Sequence, residues 1–107
     1  MHPISAIIVA KDNPPHIIET IESIKDFVKE IIVADIGIDS VLKKKLSSYP
    51  SLRLIDLQKQ ISYVELIREE LKEQAKESWV LFLDPDEVLT NELKQELSKN
   101  MQNCDYF

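Results

Sequence analysis

Glycine occurs once in this chain, at Gly37, and that scarcity removes two whole classes of nucleotide site. Neither a phosphate-cradling P-loop nor the glycine-rich turn of a dinucleotide fold can be written into such a sequence, so any nucleotide must be held by another device. Cysteine is equally sparse. Cys104 alone cannot form an internal disulfide, which fits a reducing compartment, with the cytoplasm as the default. His2 and His16 stand at no metal-ligand spacing from each other or from Cys104, so a zinc site is not expected. Long apolar runs are missing as well. None approaches the ~18 residues of a membrane span, and Met1-His2-Pro3 leads into a strand-like segment without the charged start of a signal peptide. Basic residues are outnumbered, 13 against 19 acidic, for a net charge of −6, whereas a nucleic-acid surface needs clustered Lys and Arg to release counterions. The one basic run, Lys43-Lys44-Lys45, reads as the solvated face of a helix.

What remains is a chain of 107 residues, 44 % of them hydrophobic, which fits one domain, residues 1–107, with a small core. Four short apolar runs rich in β-branched and aromatic residues, Ile4–Ala10, Glu30–Ala34, Leu52–Leu57 and Trp79–Leu83, alternate with stretches of helical period. That alternation predicts βαβ units and a parallel sheet in an α/β fold. Ile7-Ile8-Val9 and Val80-Leu81-Phe82-Leu83 are continuously apolar, as expected of central strands covered on both faces. Leu52–Leu57 carries Arg53 and Asp56 and reads as an edge strand. Right-handed crossovers, with a switch beside the first strand, predict the order 3-2-1-4.

Asn13 is a good N-cap, and Pro14 and Pro15 are tolerated only in a first turn, so the first helix is expected to begin after Asn13, with Ile17, Ile21, Ile24 and Val28 on one face. A second, shorter helix should start near Asp39 or Ser40, turn Leu42 and Leu46 inward, and stop before Pro50. Ser62-Tyr63-Val64-Glu65 is a capping box that opens a third helix with the stripe Val64, Ile67, Leu71, Ala75. A last helix starts near Thr90 and groups Leu93, Leu97 and Met101.

In an open parallel sheet, ligands bind outside the carboxyl ends of the strands, at the switch point. Acidic residues from three strands collect there: Asp12 after the first, Asp35 and Asp39 after the second, and Asp84, Asp86 and Glu87 after the fourth. Taken singly, Asp12 reads more readily as a loop or capping residue, Asp39 as an N-cap, Asp35 as either a turn-maker or a functional group, and Glu87 as a solvated residue. The strongest signal is Asp84-Pro85-Asp86, directly after the most apolar strand. Pro85 biases Asp84 toward extended geometry, where residues two apart point the same way and two carboxylates converge. Converging carboxylates repel each other unless a cation lies between them. Hard oxygen ligands with no His or Cys nearby favour Mn²⁺ or Mg²⁺, ions that also coordinate substrate phosphates.

With these residues in place, the chain resembles the family-two inverting glycosyltransferases of the GT-A fold, in the branch similar to lipopolysaccharide-core and other cell-envelope sugar transferases. Trp79–Leu93 resembles that family's strand, Asp-X-Asp motif and following helix; Ile4–Asn13 resembles its opening strand and donor loop, and Glu30–Ser40 its second strand. The resemblance implies a Rossmann-like three-layer αβα fold, the N-terminal nucleotide-sugar-binding part of a catalytic domain. It implies that Ala10, Lys11, Asp12 and Asp35 hold the base of a donor, expected to be UDP-linked. Arg68 would lie near the diphosphate or base, Asp84 would hold ribose and metal, and Asp86 would be the more direct metal ligand. The family's acceptor-side elements and catalytic base are expected beyond Phe107, so no general base is assigned, and the chain alone is expected to fold without turning over sugar. A parent protein peripheral to the inner face of the membrane is part of the same expectation.

Two other classes compete. A non-catalytic remnant or interaction module would keep the sheet and lose turnover. A phospho-acceptor receiver domain would need an acidic pair after strand one, where this chain has Lys11-Asp12.

Overall fold

A computed structural model describes residues 2–56, 71–77 and 79–100. Seven elements follow in chain order: β1 (His2–Lys11), α1 (Ile17–Ile24), β2 (Val28–Ile36), α2 (Ser40–Leu46), β3 (Leu52–Asp56), β4 (Trp79–Leu83) and α3 (Asn91–Asn100). Residues 71–74 are helical as well. All strand pairs are parallel, and the sheet runs β3-β2-β1-β4, the order expected from the crossover rules. From β1 the chain builds outward through β2 to β3, then returns to the other side of β1 for β4. The connections therefore diverge beside β1, the place at whose carboxyl ends open parallel sheets bind their ligands.

The apolar strands fold this way because β-period two sends alternate side chains to opposite faces. Ile4, Ala6, Ile8 and Ala10 of β1, with Ile31 and Val33 of β2, pack against Ile17, Ile21 and Ile24 of α1 and Leu46 of α2. On the other face, Ile7, Ile32 and Ala34 pack with Leu71, and half-buried Val9, Ile36, Ile55 and Ala75 border them. Each fully buried isoleucine contributes about 2 kcal/mol through apolar area removed from water. Both faces being covered explains why β1 and β2 read as continuous apolar runs.

Several elements differ from expectation. α1 begins at Ile17, with His16 in the N-cap position and no side-chain cap. The residue before a proline avoids helical backbone, so Pro15 excludes Pro14, and Pro14 excludes Asn13, from a helical turn. The helix also ends at Ile24, and Val28 opens β2 instead of extending the α1 face. β4 keeps its expected bounds yet is the outermost strand on its side of the described sheet, with only Leu83 buried. In α3, Leu97 packs on the core, whereas Leu93 is 44 % exposed and Leu89, just before the helix, takes the buried position. The capping box Ser62–Glu65, with Val64, Ile67, Arg68 and Met101, lies outside the described residues.

A polar network fixes the amino-terminal edge of the sheet. Ser5 Oγ donates to Glu30 Oε1 at 2.8 Å and accepts the Glu77 N–H at 3.2 Å. The Lys76 N–H reaches the same Glu30 oxygen, and Arg53 bridges Glu30 Oε2 to the Gln74 carbonyl. Residues 74–77 are thereby fastened to the three strands just before β4 begins.

Candidate functional site

Register decides which side chains meet at the other edge. Ala10 pairs with Asp35, and Asp35 pairs with Asp56, so the ends of β1, β2 and β3 are level. Leu83 closes β4 beside Ile8. The segment from Asp84 therefore leaves the sheet on the edge that carries Asp12 and Asp35, but across β1 from Asp35. At the usual strand spacing the β2 and β4 ends stand roughly 10 Å apart, with the end of β1 between them.

The β1 and β2 ends are closely fitted. Asp12 has φ +51° and Gly37 φ +87°, so two left-handed residues face each other across adjacent strands. The Asp12 N–H bonds the Ile36 carbonyl at 3.0 Å, and a Cβ on Gly37 would stand 3.3 Å from Asp12 Oδ1. The single glycine of the chain is thus spent on a close approach at this edge.

Asp35 is 4 % exposed, and each of its carboxylate oxygens has a partner. Oδ1 accepts the Ile38 N–H at 2.9 Å, shaping the turn through Gly37, while Lys43 Nζ lies 3.2 Å from Oδ2. Lys43, Lys44 and Lys45 are all exposed, as expected of a solvated helix face, and the Lys43 ammonium reaches Asp35 from it. Asp39 caps α2, its Oδ1 accepting the Leu42 N–H at 2.8 Å. Its backbone N–H donates to Asn13 Oδ1 at 2.8 Å, and Asn13 Nδ2 donates to Asp39 Oδ2 at 3.1 Å. Asn13, expected to cap α1, instead clasps the loop after β1 to the loop after β2. Ala10 is buried, and Lys11 and Asp12 are exposed.

On the far side, residues 84–87 form a turn rather than the extended segment expected. The Glu87 N–H reaches the Asp84 carbonyl at 3.1 Å, and the Glu87 carboxylate accepts the Asp84 N–H at 2.8 Å. Pro85 supplies the fixed φ that suits the second residue of such a turn. α1 holds this loop in two places: Thr20 Oγ1 donates to the Pro85 carbonyl at 3.1 Å, and Ser23 Oγ accepts the Leu89 N–H at 3.1 Å. Reading the sequence missed Thr20, Ser23 and the Asn13–Asp39 clasp. One signal was there: Thr20 is a hydroxyl residue on the Ile17, Ile21, Ile24 face of an apolar helix.

Asp84 and Asp86 are both exposed. Two hard carboxylates suit Mn²⁺ or Mg²⁺, which are held by one or two protein carboxylates together with substrate phosphates. Among the described residues no group of three or more His, Cys, Asp or Glu gathers into a cage for an ion. Two depressions elsewhere, of about 350 and 440 Å³, lie toward the opposite edge beside Arg53 and Tyr49, and neither includes a strand-end carboxylate. Among the described residues no helix is long and apolar enough to cross a membrane.

Neither a protein-family model nor a curated protein sequence matches the chain. Among solved structures it is similar to S. aureus TarS. The crystal structure of TarS 1-349 matches with a TM-score of 0.73 and 21 % identity over 94 % of this chain and 32 % of that one. The same protein in complex with UDP-GlcNAc matches with a TM-score of 0.73 and 21 % identity over 94 % of this chain and 31 % of that one. A further TarS structure matches over 94 % of this chain and 19 % of its own, again at 21 % identity and a TM-score of 0.73. The chain spans about a third or less of these proteins, and at this identity the likeness is one of fold: an α/β, Rossmann-like architecture built on a parallel 3-2-1-4 sheet.

Proposed function

We propose that the chain is the donor-binding part of a nucleotide-sugar glycosyltransferase of the family-two, GT-A type. The observation that carries the reading is the gathering of carboxylates from three strands at one switch point, in a fold shared with a protein crystallised with UDP-GlcNAc. In it, Ala10, Lys11, Asp12 and Asp35 receive the base, Asp84 the ribose, and Asp84 with Asp86 a Mn²⁺ or Mg²⁺ ion; Arg68, outside the described residues, serves the diphosphate. Asp35 would meet a base through the lone pairs left on its oxygens, or by exchanging Lys43 for it. A divalent ion, when bound, neutralises charge on the departing nucleoside diphosphate. No residue of this chain is assigned as the general base for the attacking acceptor hydroxyl. The reading carries with it a cytoplasmic setting and a parent enzyme of cell-envelope sugar transfer, peripheral to the membrane.

Calorimetry with UDP tests the proposal. Binding is expected to require Mn²⁺ or Mg²⁺, to be lost in Asp86→Ala, and to weaken less in Asp84→Ala. Equal affinity in EDTA would remove the metal role. A non-catalytic module of the same fold is the second reading, favoured by one observation, the engagement of both Asp35 oxygens by Ile38 and Lys43. Absence of any UDP affinity, with or without metal, would decide for it.

A further inference from the structure

We infer that Thr20, a helix residue outside the strand-end loops, is a positioning residue that sets the direction of the Asp86 carboxylate; the inference rests on the donor-site reading above. Thr20 is fully buried on α1, and its hydroxyl lies 3.1 Å from the Pro85 carbonyl and 3.3 Å from the His16 carbonyl. A hydroxyl has one proton to donate, and the shorter contact is the one to Pro85. The Pro85 carbonyl belongs to the central peptide of the 84–87 turn, and because a peptide is planar, fixing that oxygen fixes the plane that carries the Asp86 nitrogen.

A four-residue turn holds its central peptide in one of two main orientations, related by roughly half a rotation, and the second requires positive φ at the third residue. Among the described residues with a side chain only Asp12 has positive φ, so Asp86 is in the first. Thr20 meets the oxygen in that orientation and would lose it in the other. Asp tolerates positive φ better than most residues, so the alternative turn is within reach of the sequence when the hydroxyl is absent. Ser23 acts differently. Its hydroxyl donates to the Thr20 carbonyl at 2.6 Å and accepts the Leu89 N–H at 3.1 Å, three residues past Asp86, so it anchors the loop without touching the central peptide.

The contrast gives the test: Mn²⁺ titration followed by electron paramagnetic resonance, in the presence of UDP, on the 107-residue chain and on Thr20→Val, Thr20→Ser and Ser23→Ala. One lost hydrogen bond is worth about a five- to tenfold change. Thr20→Val is expected to weaken Mn²⁺ binding by that factor, Thr20→Ser to restore it, and Ser23→Ala, though losing a comparable bond, to leave it within about twofold. Thermal unfolding of the same variants separates aim from stability, since a merely structural role would make Thr20→Val and Ser23→Ala alike in both readouts. Unchanged Mn²⁺ affinity in Thr20→Val, with the unsubstituted chain binding, overturns the inference alone. No Mn²⁺ binding by the unsubstituted chain overturns the donor-site reading and the inference with it.

Discussion

Facing left-handed residues at neighbouring strand ends make the backbone itself selective about side chains. At Gly37 a Cβ would enter a conformation that costs about 1–2 kcal/mol for an L-residue and would press on Asp12 Oδ1 at 3.3 Å. Gly37→Ala is therefore expected to lower unfolding free energy by about 1–2 kcal/mol in a urea titration, with no change in slope. A second residue-scale effect lies on the other side of α1. Tyr49 donates its hydroxyl to Glu22 at 2.6 Å, and Lys25 reaches Glu22 from the next turn at 3.1 Å. Burial, then the Glu22 contact, pushes the Tyr49 hydroxyl up to about 12, while the Tyr49 hydrogen bond, with Lys25 after it, holds the Glu22 carboxyl below its usual 4.5. The signs follow. A raised tyrosine stabilises the fold fully below its unfolded value near 10, a contribution lost as pH rises through about 12. The depressed Glu22 contributes above its unfolded value, and that contribution fades as pH falls through the folded one. Tyr49→Phe should move the Glu22 carboxyl back up toward 4.5 in a carbon-13 NMR titration, because it removes the larger of the two lowering contacts. An unmoved Glu22 would mean that Lys25 alone sets it.

Elements were legible where one local force decided them. β4 begins and ends where its apolar run does, and α2 starts behind the Asp39 cap and buries Leu46, because capping and burial act within a few residues. β3 is the edge strand that Arg53 implied, and that arginine now has a job. With Glu30 it joins β2, β3 and residues 74–77, although its buried Nε has no hydrogen-bond partner among the described residues. Glu30→Ala would strip acceptors from Ser5, Lys76 and Arg53 together, and a loss of about 2–4 kcal/mol is expected in denaturant unfolding. A loss under about 1 kcal/mol would show that water replaces the carboxylate cheaply. Elements were misread where a distant partner outweighed the local preference. Asn13 has the chemistry of an N-cap, but Asp39, 26 residues away, takes its side chain. Leu93 has the spacing of a core residue, but Leu89 fills that place first. Asn13 and Asp39 share no short window of sequence, and Leu89, though close to Leu93, is held by its N–H on Ser23, 66 residues away.

At the scale of the molecule, the sheet order followed from chirality and the switch point from the order, which is why the strand-end aspartates could be named beforehand. Their engagement could not be. Lys43 reaches Asp35 from the next element, and the Asp84 segment turns through bonds within four residues and one from Thr20, 65 residues away, so side-chain partners that the sheet order does not specify decide both. The same architecture predicts a gradient of stability. Amides of Ile7, Ile8, Ile32 and Val33, central and buried on both faces, should exchange with deuterium most slowly, and those of Leu54 and Phe82, on the outer strands, faster. Equal protection across all four strands would mean that the sheet opens only as a unit. The short connection from β1 to α1 has a further consequence. Near its start Asn13 is clasped to the loop after β2, and on the helix it leads into, Thr20 and Ser23 hold the loop after β4. Between the clasps stand Pro14 and Pro15, whose rings remove freedom that other residues would have. The connection is a gauge block: both loops are bolted to one stiff piece of chain. On the donor-site reading proposed above, their separation is set during folding instead of by whatever arrives, so less ordering of the protein is left for a fitting ligand to impose.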